Sequence, residues 1–111
     1  MDIDAGDILY AELDPVLGRE QGGRRPALVL TSADFHAARE TAVICPITSN
    51  TADWPTKVLL PDGLDVKGAV LVEQIRTVHR ESRLFGYAGR VPPSVMRDVH
   101  SVLVDMLKIK L

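Results

Sequence analysis

The segment Gly18-Arg19-Glu20-Gln21-Gly22-Gly23-Arg24-Arg25-Pro26 holds the densest chemistry in the chain. Its arginines flank a Gly-Gly pair. A guanidinium offers a planar fork of donors that matches two phosphate oxygens at once. Glycine lets a ligand's backbone come close. Pro26 biases Arg25 towards an extended backbone, which sets Arg25 where a loop becomes a strand. A fixed cation at a strand rim suits a phosphate; the plain alternative is a solvated basic turn. Glu20 is the nearest carboxylate in sequence and a candidate base. Gln21, Gly22 and Arg24 are candidates to line the same ligand.

Two later segments could complement it. Cys45-Pro46-Ile47-Thr48-Ser49-Asn50-Thr51 reads as a strand ending in a row of hydrogen-bonding side chains. Thr48 and Ser49 would either end the strand in a turn or hold phosphate or base. In Val70-Leu71-Val72-Glu73-Gln74-Ile75-Arg76, strand alternation puts Glu73 on the face of Leu71 and Ile75. A carboxylate among apolar neighbours needs a partner, and arginine is the natural one. Gln74 and Arg76 share the opposite face, where they could read a base edge. A structural ion pair at Glu73 stands beside a site role.

Other chemistries find little footing. His36, His79 and His100 are far apart with no metal-ligand spacing, and read as surface or internally satisfied histidines. Cys45 is the only cysteine, so an internal disulfide and multi-thiolate zinc sites are excluded. Within its apolar run it reads as a small buried hydrophobe. There is no nucleophile elbow, P-loop or dinucleotide fingerprint. Asp2, Asp4 and Asp7 read as a solvated tail. No metal and no cofactor are expected. The net charge of −2 and pI of about 5.9 give no global basic field, so phosphate contacts must come from a local cluster. No apolar run approaches the roughly 20 residues of a membrane span. The acidic start Met1-Asp2-Ile3-Asp4 lacks the pattern of a signal peptide, and the cytoplasm is the expected location.

The elements that must position these residues are short. The 111 residues suit a single domain over 1–111. Strands are expected at Asp7–Leu13, Arg25–Thr31, Thr41–Thr48, Thr56–Leu60, Ala69–Arg76 and Leu84–Val91. A turn-rich loop spans Asp14–Arg24 and a short helix falls within Ser32–Glu40. From Pro93 onward, Val95, Val99, Val102, Leu103, Met106 and Leu107 recur at helical spacing, with prolines fitting the first turn. The expected architecture is mainly β: a small, strongly bent sheet or partly open barrel with a C-terminal helix.

Four blocks resemble the MazF/PemK family of toxin endoribonucleases from toxin–antitoxin modules. They are Gly6-Asp7-Ile8-Leu9-Tyr10 with Leu13-Asp14-Pro15, then Gly18 to Leu30, then Pro46-Ile47-Thr48-Ser49 with Trp54-Pro55, then Leu71 to Val78. They lie in order and span nearly the whole chain. The resemblance implies an SH3-like β-barrel with a C-terminal helix, a homodimer and a cognate antitoxin. It also implies sequence-selective, metal-independent cleavage of single-stranded RNA. It makes Arg25 and Thr48 catalytic. An alternative arrangement in some members uses an Arg and an Asp on the third-block strand; here those positions hold Leu71 and Glu73, so that version is broken. The implied chemistry is attack by the ribose 2′-OH, leaving a 2′,3′-cyclic phosphate and a 5′-OH. Arg25 and Thr48 would stabilise the phosphorane, with Glu20 as candidate base. Gln21, Gly22, Arg24, Ser49, Gln74 and Arg76 would bind RNA. Arg19, Arg24, Arg25 and Arg76 would also offer contacts to an acidic antitoxin segment. The competing reading is a gyrase poison of the related CcdB fold, without nuclease activity. It uses a Trp-Gly-Ile chain end, whereas this chain ends Lys108-Ile109-Lys110-Leu111.

Overall fold

The computed structural model describes residues 2–15, 18 and 20–111. The chain runs β1 (Asp7–Glu12), β2 (Arg24–Val29), α1 (Ala33–Ala38), β3 (Thr41–Thr48), β4 (Lys57–Leu59) and β5 (Ala69–Leu71). It continues through a 3-10 turn (Val72–Gln74), β6 (Arg76–His79), α2 (Arg80–Arg83), β7 (Leu84–Arg90) and α3 (Pro93–Leu107). All strand pairs are antiparallel, in the order β4-β5-β3-β2-β1-β7, with β6 also on β3. That path does not return on itself among the described residues, so the expected barrel is an open one.

The bend has a clear origin in β3. Its first half, Thr41–Ile44, pairs with β6. Its last residues, Ile47 and Thr48, pair with β5. Pro46, which has no N–H for a ladder, sits at the switch between partners. The 3-10 turn takes up the offset on the other side. The expected strand Ala69–Arg76 is therefore two strands and a corner. The 3-10 turn, β6 and the short α2 had no separate sequence signal.

Two apolar clusters lie on opposite faces of the sheet. One holds Ile8, Leu28, Cys45, Ile47, Val70 and Val72, and is covered by Val95 and Val99 of α3. The other holds Leu9, Ala11, Leu13, Ala27, Val29, Ile44 and Val78 on the concave side. Period-two alternation along β1 and β2 feeds both clusters in turn. Helix α3 starts with Pro93 in its first turn and closes at Lys108, whose left-handed backbone (φ 55°) directs its N–H to the Val104 carbonyl.

Of the N-terminal aspartates, Asp2 is exposed as a solvated tail would be, but Asp4 and Asp7 are not. Asp7 is buried, and Arg90 Nη1 lies 2.7 Å from its Oδ1. Asp4 Oδ1 accepts from the backbone N–H groups of Ala33 and Ala5. Those bonds, Ala33's first, hold the Asp4 carboxyl below the usual range. A buried carboxylate keeps its charge only when paired, and Arg90 is that pair. His36 is a satisfied histidine: buried, with Nδ1 2.9 Å from the Ile3 carbonyl and Nε2 2.7 Å from Thr31 Oγ1.

Candidate active site at the strand rims

Strands β2 and β3 pair through Ala27↔Pro46, Leu28↔Cys45 and Val29↔Ile44. The ladder ends at Ala27↔Pro46, two residues short of Arg25 on β2 and of Thr48 on β3. Arg25 alternates with Ala27 and Val29, and its β1 partner is Ala11. It therefore belongs to the concave face, at the open end of that face. Arg25 Nε donates to the Gly22 carbonyl at 3.0 Å. That bond steadies the guanidinium through Nε, so its terminal N–H groups are not used in it.

Thr48 is nearly buried, and its Oγ1 accepts the Asn50 N–H at 3.1 Å. The hydroxyl proton is left to donate. The Thr48 backbone is fixed by a close approach from Gly68, at φ 133°. A Cβ at Gly68 would lie 2.1 Å from the Thr48 carbonyl oxygen. Only glycine fits there. The sequence signal was a glycine directly before the apolar run at Ala69, a common mark of close backbone approach.

The third block meets the signature loop at this rim. Gln74 Oε1 accepts from the Gln21 N–H at 2.8 Å. Arg76 pairs across the sheet with Ile44, and its Nη1 donates to the Leu13 carbonyl at 3.2 Å. Both residues reach the rim and hold loop backbone there. The loop is closed at its neck by Leu13 N–H to the Gly23 carbonyl and by Gly23 N–H to Asp14 Oδ1, each at 2.9 Å. Arg83 of α2 donates to the Glu12 and Asp14 carbonyls. Neither Arg83 nor Asp14 was legible as a site residue, because both act through contacts distant in sequence.

The remaining candidates separate. Glu20 and Ser49 are exposed, and Gly22 serves as the acceptor for Arg25. Arg24 lies on the opposite face from Arg25. There it sits 4.9 Å from the centre of the Phe85 ring and 3.4 Å from Glu12 Oε2. Arg19 lies outside the described residues. Glu73 differs from expectation: it is exposed on the 3-10 turn, so strand alternation does not apply. Its partners are Trp54 Nε1 at 2.8 Å and Thr56 Oγ1 at 2.5 Å, not an arginine. Those hydrogen bonds, Thr56's first and then Trp54's, hold its carboxyl below the usual range. Cys45 is buried as expected, and burial pushes its thiol up to about 12, so it stays a neutral thiol. Among the described residues, no three His, Cys, Asp or Glu side chains gather as a metal site would need.

An open, bent antiparallel sheet packed under a C-terminal helix, with a guanidinium and a hydroxyl at the ends of neighbouring strands, defines a small β protein of mainly antiparallel build. Residues 4–107 match the family described as PemK-like, MazF-like toxin of type II toxin-antitoxin system, and the chain belongs to that family. Endoribonuclease PemK of Escherichia coli is 34% identical over 110 residues, covering 96% of this chain and 83% of that relative. The crystal structure of MazF from Deinococcus radiodurans superposes with a TM-score of 0.92 at 35% identity, covering 98% of this chain and 99% of that one. A MazE-MazF structure from the same organism gives 0.87 at 34% identity, covering 99% of each chain. This membership does not favour the gyrase-poison alternative.

Proposed function

We propose that this toxin-family endoribonuclease cuts single-stranded RNA at selected sequences, in the cytoplasm, without a metal ion. The ribose 2′-OH attacks the adjacent phosphorus and loses its proton to a base. The bond to the 5′-oxygen of the next nucleotide breaks, and that oxygen takes up a proton. The products are a 2′,3′-cyclic phosphate and a 5′-OH. The nucleophile lies within the substrate, so no activated water is required for the cut.

The observation that supports this reading is the β2–β3 pairing, whose last pair, Ala27↔Pro46, lies two residues from Arg25 on one strand and two from Thr48 on the other. Charge accumulates on the non-bridging oxygens as the phosphorane forms. The terminal N–H groups of Arg25 and the Thr48 hydroxyl supply fixed donors for that charge, the kind of stabilisation that usually dominates. Arginine is effectively always protonated, so Arg25 acts as an electrostatic donor rather than a base. Glu20 is the candidate base on the loop. The protein acts as a homodimer and is held inactive by a cognate antitoxin; the likeness to the MazF chain of a MazE-MazF structure supports the antitoxin partner.

A substrate with deoxyribose at the cut position tests the mechanism. It is expected to bind and remain intact, in buffer with excess EDTA where the all-ribose substrate is cut. Cleavage of the deoxy substrate would mean an external nucleophile. Loss of activity in EDTA with recovery in Mg²⁺ would mean metal chemistry.

A further inference from the structure

Trp54 is the only tryptophan in the chain, and the chemistry above does not use it. It is 56% exposed, so a face of the ring is open to a ligand. Its setting is also unusually fixed. The one polar atom of the indole, Nε1, donates to Glu73 Oε1, and the Thr56 hydroxyl donates to the same oxygen. The chain on either side is pinned by several further bonds. Lys57 Nζ donates to the Asn50 and Ala52 carbonyls, Ala52 N–H donates to Asn50 Oδ1, and Lys57 N–H donates to the Trp54 carbonyl. A segment without regular structure thus carries an aromatic ring tethered by its edge.

Beside that ring is a cleft of about 390 Å³, lined among others by Asn50, Trp54, Lys57, Leu71, Glu73 and Gln74. Two of these residues join the cleft to the reactive rim. Asn50 caps Thr48, and Gln74 holds the Gln21 backbone of the signature loop. Glu73 is exposed and uses Oε1 for Trp54 and Thr56; among the described residues no hydrogen bond engages Oε2, which stays available as an acceptor.

We propose that Trp54 is a stacking platform for one nucleobase beside the cut, and that Glu73 both sets the ring and selects a base bearing an exocyclic amine. This rests on the RNA-cleavage reading. Every base has a flat π-face that stacks on an aromatic ring, so the indole alone would not discriminate. A carboxylate oxygen accepts from an amine, as acidic side chains do from cytosine N4. It repels the carbonyl oxygen that uracil presents at the same place. A pre-set ring loses little freedom when the base arrives.

The sole tryptophan is its own probe. Titrating the protein with an oligonucleotide made uncleavable by deoxyribose at the cut should quench indole emission. Trp54→Ala should raise KM about ten- to hundredfold with kcat little changed, the size expected for one lost stacked base. Trp54→Phe should recover most of that loss. Glu73→Gln keeps an acceptor for Trp54 and Thr56 but presents an amide donor beside it. Cleavage maps of a long RNA should therefore shift away from amine-bearing bases at that position. The proposal is overturned if oligonucleotide binding leaves the emission unchanged and both variants keep wild-type KM and cleavage maps. The emission titration requires binding alone. A protein that quenched on binding but cut nothing would refute the cleavage reading and support the stacking platform.

Discussion

In the proposed mechanism Arg25 and Thr48 divide one task. The guanidinium is braced through Nε on Gly22 and presents its terminal donors; the hydroxyl is braced by Asn50 and presents its proton. Arg25→Ala and Thr48→Ala should each lower the single-turnover rate on the order of a hundredfold or more, as deletion of a transition-state donor does. Arg25→Lys should recover little, because an ammonium cannot hold Gly22 and present a fork at once. Arg25 lies at a strand rim, so its variant should melt near wild type; Thr48 is buried and satisfies the Asn50 N–H, so its variant should lose some stability but still fold, as thermal melts would report. Rates within a few-fold of wild type for both alanine variants would remove these residues from the chemistry. Glu73 offers a pH signature. Its hydrogen bonds favour the charged form, so their contribution is present above the ordinary carboxylate pKa and is lost as pH falls through the lowered value. Trp54 emission should therefore change only below the ordinary carboxylate range, and Glu73→Gln should abolish that change. A transition centred at or above that range would contradict the assigned hydrogen bonds.

At the level of elements, Gly68 is the most exacting position. Its backbone lies at φ 133° and any Cβ meets the Thr48 carbonyl. Gly68→Ala should destabilise by roughly 1–3 kcal/mol, the cost of a strained backbone position, and should slow cleavage by displacing Thr48. Thermal melts and single-turnover rates report the two effects separately; an unchanged melt with unchanged rate would mean that the backbone yields freely. Much of this frame was legible in the sequence. The alternation in β1 to β3 and the helical spacing from Pro93 to Leu107 depend on which faces are buried, and burial writes a period into the chain. The corner at Val72–Gln74 wrote none. Val70-Leu71-Val72 is as apolar and β-branched as a continuous strand, and the change of partner is decided by β3, far away in sequence. The same corner removed Glu73 from the alternation that suggested an arginine partner. The rim residues Arg25 and Thr48 were legible because proline and threonine mark strand ends. The tethers from Gln74, Arg76 and Arg83 were not, since each joins residues separated by dozens of positions.

Across the whole molecule, the net charge is −2, yet the rim of the concave face gathers Arg25 and Arg76. An acidic antitoxin segment that folds on binding would meet those same donors. The antitoxin should therefore compete with uncleavable RNA, and association should slow as salt rises. A stable ternary complex with unchanged RNA affinity would exclude direct occlusion. The signature loop adds one more consequence. Its neck is tied by Leu13, Asp14 and Gly23 and braced from outside by Arg76 and Arg83. Of the described residues between the two sides of the neck, Pro15, Gly18 and Glu20 take no part in these bonds. Lengthening a tied loop costs only slowly growing entropy. Under the proposed function the neck is a socket: replacing the sequence between its two sides should change which nucleotides are cut, while the ties at Leu13, Asp14 and Gly23 keep the strand ends in place.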